Sequence, residues 1–333
     1  MSVLVLGGTG YIGSHAVYQL IDQDEKVIVI DNLETGHLEA IHPNATFYQG
    51  DIRDIDFLRK VFKAEPIHSV LHFAANSLVG ESMENPLKYF DNNVHGTQVL
   101  LKAMTEYGVK KIVFSSTAAT YGEPKQVPIT EEMPTLPTST YGETKLTMEK
   151  LMKWCGIAHG IRYVSLRYFN VAGARETAEI GEDHQPESHL IPIVLQTALN
   201  QREHVTIFGS DYNTDDGTCI RDYIHVEDLI AAHLLALDYL NNNGSSDIFN
   251  LGSSKGFSVK QIVETARKVT GNEIPVKYGP RRPGDPSVLI ASSDKAREIL
   301  GWIPERTHIT KIVEDAWRWH STHPLGYRTE GTS

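Results

Sequence analysis

The sequence predicts an α/β fold, namely a doubly wound parallel sheet with a smaller, irregular C-terminal lobe. Three observations support this prediction. Short apolar segments alternate with helical patterns in the first half of the chain, and a glycine-rich turn directly follows the first apolar segment. After Asn170 the composition changes to loops rich in Gly, Pro, Asp and Glu. Strands that alternate with helices favour right-handed βαβ units and a parallel sheet with helices on both faces.

The order of the elements follows from the hydrophobic periodicity. Short β-branched or apolar runs predict strands at Val3–Leu6, Lys26–Ile30, Ala45–Tyr48, Ser69–Phe73, Lys111–Ser115 and Ile161–Phe169. Amphipathic spacing predicts helices at Ile12–Asp22, Ile55–Lys63, Pro86–Tyr107 and Tyr141–His159. In the second half, helices are predicted at Ile191–Asn200, Val226–Leu240, Val259–Val269 and Ile309–His320.

Composition narrows the class of protein. The chain has 41% hydrophobic and 22% charged residues, and its net charge of −11 argues against nucleic acid as a partner. No apolar run approaches the roughly 20 residues of a membrane span, and the N-terminus lacks the pattern of a signal peptide, so we expect a cytoplasmic protein. An anionic substrate would need its own local arginines. The fifteen histidines show no HxH or HExxH spacing, so no metal site is predicted.

The first turn has the pattern of a dinucleotide site. Gly7, Gly10 and Gly13, with Tyr11 and Ile12 between them, follow a strand and open a helix. Glycines allow a tight turn and close approach of pyrophosphate to the helix N-terminus. Asp31 ends the next strand, where a carboxylate would bind the ribose hydroxyls and repel a 2′-phosphate, which favours NAD over NADP.

This motif makes the first domain a Rossmann-like NAD-binding domain. We predict that it spans residues 1–171, that the chain returns to it around 222–254 through a strand at Ile248–Leu251, and that 172–333 form a substrate-binding lobe. Other strand ends supply further candidates for cofactor contact because they face the ligand crevice. These candidates are Asn32, Asp51, Ile52, Phe73, Ala74 and Ala75.

Tyr141 and Lys145 are the predicted catalytic pair. Residues at i and i+4 share a helix face, so the phenol and the ammonium are expected to point the same way. A neighbouring ammonium, together with an oxidised nicotinamide, is expected to lower the pKa of the phenol from about 10 and make it a base. Thr117 and Ser115, at the end of a strand, are expected to bridge to the substrate hydroxyl and to contact the nicotinamide.

Several segments together resemble a known family. Gly7–Gly13, Ser115–Gly122 and Tyr141–Lys145 resemble the extended short-chain dehydrogenases/reductases. Later segments, at Arg167–Asn170, Ser188–Pro192, Asp215–Val226 and Arg281–Asp285, are similar to the UDP-glucose 4-epimerases within that family. The resemblance runs along essentially the whole chain. It implies interconversion of UDP-glucose and UDP-galactose by C4 oxidation, rotation of the 4-keto intermediate and re-reduction with tightly bound NAD.

The resemblance also implies roles for individual residues. Tyr141 would be the acid/base, Lys145 its partner, and Thr117 the hydroxyl residue beside them. Asn93 and Tyr168 would lie near the cofactor. The UDP-sugar would contact Thr117, Tyr141, Asn170, His189, Leu190, Phe208, Arg221, Tyr223, Arg281 and Asp285. The long helices Pro86–Tyr107 and Tyr141–His159 would pair across a homodimer.

Departures from the family pattern leave some questions open. Some members carry a lysine at the position of Ser77, where it touches the cofactor. At Leu289 members carry either Tyr or a small residue, so a leucine leaves UDP-GlcNAc and UDP-GalNAc as additional substrates. Related 4,6-dehydratases use an Asp-Glu pair directly after the strand-end Thr, whereas this chain has Ala118 and Ala119. A UDP-glucuronate 4-epimerase remains an alternative, as does a non-catalytic protein that senses NAD.

Overall fold

The computed structural model describes residues 1–282 and 286–328 and confirms the α/β fold. Along the chain, the strands are β1 (Ser2–Leu6), β2 (Lys26–Asp31), β3 (Thr46–Gln49), β4 (Ser69–His72), β5 (Lys111–Ser115), β6 (Arg162–Tyr168), β7 (Asn170–Ala172), β8 (Val205–Phe208), β9 (Ile220–Arg221), β10 (Tyr223–His225), β11 (Asp247–Leu251), β12 (Phe257–Ser258), β13 (Val276–Gly279) and β14 (Val288–Leu289). The α-helices are α1 (Tyr11–Asp22), α2 (Ile55–Ala64), α3 (Val79–Glu84), α4 (Pro86–Tyr89), α5 (Gly96–Glu106), α6 (Thr140–His159), α7 (Leu190–Ala198), α8 (Val226–Asn241), α9 (Val259–Thr270), α10 (Asp294–Leu300) and α11 (Ile309–Thr322).

A seven-stranded sheet forms the centre of the first lobe, in the order β11-β6-β5-β4-β1-β2-β3. Every neighbouring pair in this sheet is parallel. The strands are buried on both faces because helices cover both, which explains why they appear in the sequence as continuous apolar runs. In β1, Val3 and Val5 pack with α1 and α8, whereas Leu4 and Leu6 pack with α2, α5 and α6.

The chain returns to this sheet after leaving it, as the sequence predicted for residues 222–254. β10 pairs with β7, α8 packs on the sheet, and β11 becomes its outermost strand. A later segment returns as well: α10 and Trp302 pack in the same apolar cluster as α8. The predicted boundary at residue 172 therefore separates the two parts in sequence order, but segments after it also pack in the first lobe.

The second lobe has its own apolar core between α7, α9 and α11. This lobe also contains two small sheets. One consists of β8 and β13, and the other of β12, β9 and β14. Because these strands have only two to four residues, alternation over so short a length could not be recognised in the sequence. None of the helices in the described part of the chain is long and apolar enough to span a membrane.

The predicted helix Pro86–Tyr107 is interrupted. α4 continues into a π-helical segment, Phe90–His95, before α5 begins. A π-helical turn contains more residues per turn than an α-helix, so it shifts which side chains share a face. Asn92, rather than the predicted Asn93, consequently lines the principal cleft of the molecule.

Candidate active site

A cleft of about 840 Å³ lies at the carboxyl ends of the central strands. This is the edge at which parallel α/β sheets bind their ligands. The cleft brings together most of the residues that the sequence singled out. Its lining includes Gly7, Gly10, Tyr11, Ile12, Gly13, Asp31, Asn32, Ile52, Phe73, Ala74, Ala75, Ser115, Thr117, Tyr141, Lys145, Tyr168, Asn170 and His189.

The glycine turn between β1 and α1 fits a dinucleotide. A Cβ on Gly13 would lie 2.0 Å from the carbonyl oxygen of Gly7, and Gly7 itself has a φ of 75°. No other residue type therefore allows α1 to begin so close to the turn. Gly10 is the N-cap of α1 and faces the cleft, so the first turn of the helix presents its backbone N–H groups to an anionic pyrophosphate.

Asp31 lies beside this turn, and backbone hydrogen bonds fix its carboxylate. Its two carboxylate oxygens accept hydrogen bonds from the backbone N–H groups of Thr9, at 3.1 Å, and of Leu33, at 2.9 Å. Each carboxylate oxygen has a second acceptor site that remains for a ribose hydroxyl. At this end of the cleft the turn is fixed and the carboxylate is anchored, so the residues fit NAD. We call the side of the cleft formed by Gly7–Gly13, Asp31, Ala74, Ser115 and Lys145 the cofactor wall.

Two predicted cofactor residues, Asp51 and Asn93, are not among the residues that line the cleft. Asp51 forms an ion pair with Arg53 at 2.6 Å, and this pairing lowers the pKa of the carboxyl group. Asn93 is fully buried. Its amide donates to Thr144 and to the backbone carbonyl of Asn76, both at 3.1 Å, and thereby fixes the segment that follows β4. Both residues support residues that do line the cleft.

The position of Tyr141 follows from the start of α6. Ser139 caps this helix by accepting a hydrogen bond from the N–H of Gly142 at 3.1 Å, and Tyr141 donates its own N–H to Ser82. A Cβ on Gly142 would lie 2.7 Å from the carbonyl oxygen of Ala119. Glycine at this position therefore lets the first turn of α6 approach the segment after β5, where Thr117 lies.

Burial dominates the electrostatics of the catalytic pair. Burial raises the pKa of the Tyr141 phenol to about 12, and hydrogen bonding to Thr117 lowers it only in part. Burial lowers the pKa of Lys145 to about 7, with the Glu149 carboxylate acting in the opposite direction. The Lys145 ammonium donates to the carbonyl oxygen of Ser115 at 2.8 Å and lies 5.8 Å from the centre of the Tyr141 ring. In the absence of the cofactor, desolvation therefore dominates the pKa of the phenol, whereas the predicted lowering also involves an oxidised nicotinamide.

A buried polar layer beneath the pair was not predicted from the sequence. Glu149, one helical turn after Lys145, accepts hydrogen bonds from Ser116 at 2.6 Å and from Arg167 at 2.9 Å. Only 4% of each side chain of the Arg167–Glu149 pair is exposed. Glu149 follows Lys145 by four residues, which places both side chains on one face of the helix. A glutamate exposed on a helix surface has the same spacing, so the sequence did not reveal the buried layer.

Another side of the cleft is formed by loops and by the short strands β7 and β14. Asn170, His189, Arg282 and Leu289 line it, and we call these residues the substrate wall. The guanidinium of Arg282 lies 4.2 Å from the centre of the Phe208 ring. Leu289 packs with Ala118, beside Thr117. Arg282 was not among the predicted site residues, because sequence alone could not show which of two adjacent arginines faces the cleft.

The other predicted substrate residues do not line this cleft. Arg281 pairs with Asp211 at 2.7 Å on the surface, and Arg221 donates to the carbonyl oxygen of Pro286 at 2.8 Å. Tyr223 is buried in the core of the second lobe, against which Leu190 packs. Asp285 lies outside the described residues. Substrate contact by these side chains remains a prediction, and each arginine has five N–H donors, more than the hydrogen bonds just described use.

Comparison with known proteins identifies the family. Residues 3–252 match the model of the NAD dependent epimerase/dehydratase family. The chain belongs to this family. A family relative, the UDP-glucose 4-epimerase of Halalkalibacterium halodurans, is 60% identical over 330 residues, which cover 99% of this chain and 98% of the relative.

Solved structures of similar proteins have the same overall fold. A crystal structure of UDP-glucose 4-epimerase superposes with a TM-score of 0.98 at 58% identity, covering 99% of this chain and 100% of that one. The enzyme from Bifidobacterium longum, in complex with NAD+ and UDP, gives a TM-score of 0.92 at 38% identity, covering 98% of this chain and 100% of that one. Members of the family are NAD-dependent, and the cofactor wall fits that cofactor.

Proposed function

We propose that the chain is an NAD-dependent enzyme that interconverts UDP-glucose and UDP-galactose by inverting C4 of the sugar. The observation that carries this proposal is the convergence of Thr117, Tyr141 and Lys145 in one cleft with the glycine turn and Asp31. Relatives with 60% identity along nearly the whole chain are UDP-glucose 4-epimerases. A protein that only senses NAD would not require the catalytic pair.

Proton transfer is the contribution of Tyr141. Its phenolic oxygen, bridged to Thr117, takes the proton of the sugar C4 hydroxyl and later returns it. When bound, NAD accepts and then returns the C4 hydride, and its oxidised ring adds positive charge beside the phenol. Such charge lowers the phenol pKa from about 12, the value that burial imposes on the chain alone. Lys145, anchored on the Ser115 carbonyl, adds to this effect when it is protonated.

The substrate wall holds the nucleotide half of the substrate. Asn170, His189 and Arg282 line the cleft and offer hydrogen-bond donors to a diphosphate. A sugar that is held through its nucleotide and not through its own hydroxyls can turn over about the diphosphate link. Both faces of C4 can then be presented to the same catalytic pair, which is what inversion requires.

Ala118 and Ala119 favour epimerisation over dehydration, the other reaction of this family. Both residues line the cleft directly after Thr117. Elimination of water from the sugar needs an acid and a base near C5 and C6, and two methyl groups cannot supply them. Leu289 lies in the same part of the cleft, so we also propose that it sets the room for an N-acetyl group and hence the use of UDP-GlcNAc and UDP-GalNAc.

Purified protein, incubated with UDP-galactose without added NAD, tests this function. We expect formation of UDP-glucose, because the cofactor is regenerated within each cycle and stays bound. UDP-glucuronate and a 4,6-dehydration assay serve as comparison reactions. Turnover of UDP-glucuronate alone, or release of a 4-keto-6-deoxy sugar as the main product, would refute the proposal.

We further propose that the protein is a homodimer. Helix α6 carries exposed apolar side chains, with Trp154 66% and Ile157 68% exposed, and a groove lined by Leu101 of α5 and Leu151 of α6 lies between the two helices. Light scattering should give twice the chain mass for the natural protein and a lower mass for Trp154→Lys. A natural protein with the mass of one chain would contradict this proposal. The cytoplasmic location remains a prediction from the sequence.

A further inference from the structure

Four chelating side chains lie together at the rim of the cleft. Glu182, His184, Glu187 and His189 come from one loop before α7, and one ligand atom from each lies within 4.8 Å of the others. The sequence analysis overlooked this group because a loop with the pattern Glu-x-His-x-x-Glu-x-His has no familiar metal-binding spacing. The group is distinct from the Tyr141–Lys145 pair and has no part in the proton transfer described above.

The distances within the group are those of a metal coordination shell. Nδ1 of His184 lies 3.3 Å from Glu182 and 3.6 Å from Glu187, and Nδ1 of His189 lies 3.6 Å from Glu187. Ligand bonds of about 2.0–2.1 Å in a tetrahedron place neighbouring ligand atoms about 3.3–3.4 Å apart. The shortest separation, 2.6 Å between His189 and Glu182, needs to lengthen by less than an ångström.

Burial and charge point to a bound cation. The side chains of Glu182 and Glu187 are only 3% exposed. Nδ1 of His184 is buried and faces both carboxylates, at 3.3 Å from Glu182 and 3.6 Å from Glu187. With both imidazoles deprotonated, as metal ligation requires, the group carries a total charge of −2, which a divalent ion neutralises. Two carboxylates buried side by side repel each other, and a cation between them removes that cost.

Neighbouring groups hold the ligands in position. The backbone N–H groups of Ser188 and His189 both donate to Glu187 at 2.8 Å, and the Trp319 indole donates to the carbonyl oxygen of Glu182 at 3.2 Å. Such outer contacts orient metal ligands and are a regular part of metal sites. Two imidazoles with two carboxylates suit Zn²⁺ better than Mg²⁺ or Ca²⁺, which prefer shells made of oxygen alone.

We propose that Glu182, His184, Glu187 and His189 bind one Zn²⁺ ion that stabilises the loop between the two walls of the cleft. Four protein ligands close the coordination shell, as in structural zinc sites. The ion ties both ends of the loop together immediately before α7. Coordination of His189 through Nδ1 leaves its Nε2 for the substrate contact predicted for this residue. Zinc thus shapes the substrate side of the cleft without taking part in the chemistry.

Metal analysis of the untagged holoenzyme tests the proposal. The protein is incubated with ZnCl2, passed through a desalting column and assayed for zinc by mass spectrometry. We expect about one zinc ion per chain. We expect at least about a tenfold loss of retained zinc in His184→Gln and in Glu187→Gln. His308→Gln, which changes an exposed histidine at the start of α11, should retain as much zinc as the natural protein.

A measurement on the natural protein makes the test independent of variant folding. Co²⁺ in place of Zn²⁺ should give the intense visible absorption of four-coordinate cobalt, and EDTA should remove it and lower the melting temperature. The proposal is overturned if the natural protein retains less than about a tenth of an ion per chain. It is equally overturned if folded His184→Gln and Glu187→Gln proteins keep their zinc, or if bound cobalt shows only weak six-coordinate absorption.

Discussion

The two walls of the cleft are built differently. The cofactor wall consists of strand ends and the first turns of helices, and its groups are anchored before any ligand binds: Asp31 by two backbone N–H groups and Lys145 by the Ser115 carbonyl. The substrate wall consists of loops and short strands, and the arginines predicted to bind the substrate, Arg221 and Arg281, form hydrogen bonds with groups of the chain itself. The groups of the cofactor wall are thus held in position before a ligand binds, whereas the groups of the substrate wall can adapt to the ligand.

This difference suits a reaction in which the sugar must turn over between two hydride transfers. A rigid cofactor wall keeps the residues that transfer the proton in place through both half-reactions. A substrate side that grips only the nucleotide leaves the sugar free to rotate. Substitutions in the cofactor wall should therefore affect folding, cofactor retention or kcat, whereas substitutions in the substrate wall should chiefly affect KM and specificity.

The largest expected effect on stability comes from Glu149→Gln, beneath the cofactor wall. Removing one charge of a buried ion pair leaves Arg167 uncompensated, which typically costs about 3–5 kcal/mol. Urea denaturation should show this loss. Glu143→Gln, a half-buried residue in the first turn of the same helix, should change the free energy of unfolding by less than about 1 kcal/mol. Equal effects of the two substitutions would show that the layer beneath the pair has no special role.

The same variant should alter the pH dependence of catalysis. The Glu149 carboxylate raises the pKa of Lys145, so its removal lowers that pKa below the present value of about 7. Lys145 is charged below its pKa, and any rate that depends on the ammonium is lost as pH rises through that value. The alkaline limb of the kcat profile should therefore move to lower pH in Glu149→Gln. An unchanged limb would indicate that Glu149 acts only on stability.

Gly13→Ala tests the rigidity of the cofactor wall through NAD retention. The added Cβ would lie 2.0 Å from the Gly7 carbonyl oxygen, so the turn must open. We expect purified protein to retain NAD about ten- to hundredfold less tightly, because the helix N-terminus moves off the pyrophosphate. Gly80→Ala, where a Cβ meets nothing within 4 Å, is the matched control and should retain NAD normally. Equal retention in both variants would contradict a preformed turn.

Arg282→Ala is expected to give about a tenfold increase in KM for the UDP-sugar with little change in kcat. This arginine lines the cleft and lies over Phe208, so it is positioned to bind the nucleotide throughout the reaction. Steady-state kinetics measure both constants. A fall in kcat with unchanged KM would place Arg282 in the chemical step and remove the distinction between the walls.

Leu289→Tyr should have the smallest effect, a change of a few-fold in substrate preference. A larger side chain at this point of the substrate wall narrows the space beside Ala118, so UDP-GalNAc should lose more activity than UDP-galactose. The ratio of kcat/KM for the two substrates measures this. A ratio that does not change would show that another part of the wall sets the room for the N-acetyl group.

The cofactor wall could be predicted from the sequence because each of its residues follows a strand or opens a helix in a recognisable pattern. Asp31 at the end of β2 and Gly10 at the start of α1 are examples, and both line the cleft. The substrate wall could not be predicted equally well. Whether Arg281 or Arg282 faces the cleft depends on tertiary packing, and periodicity carries no information about it in a loop. Similarly, the π-helical turn that brings Asn92 to the cleft leaves no simple mark on amphipathic spacing.

The pKa values of the catalytic pair could not be predicted from the sequence either. The i+4 spacing of Tyr141 and Lys145 indicates that their side chains are neighbours, but not that both are desolvated. Burial raises the pKa of Tyr141 and lowers that of Lys145. The extent of burial depends on how closely α6 approaches β5, and this emerges only from the fold.

Conversion of UDP-galactose by Tyr141→Phe tests most directly whether this pair performs the reaction. The substitution removes the phenolic oxygen and leaves the ring that fills the cleft. We predict a protein that folds and retains NAD but loses kcat by about 10²–10⁴-fold, the usual contribution of a general acid/base. A folded, NAD-containing Tyr141→Phe protein that converts UDP-galactose at a near-normal rate would contradict the account.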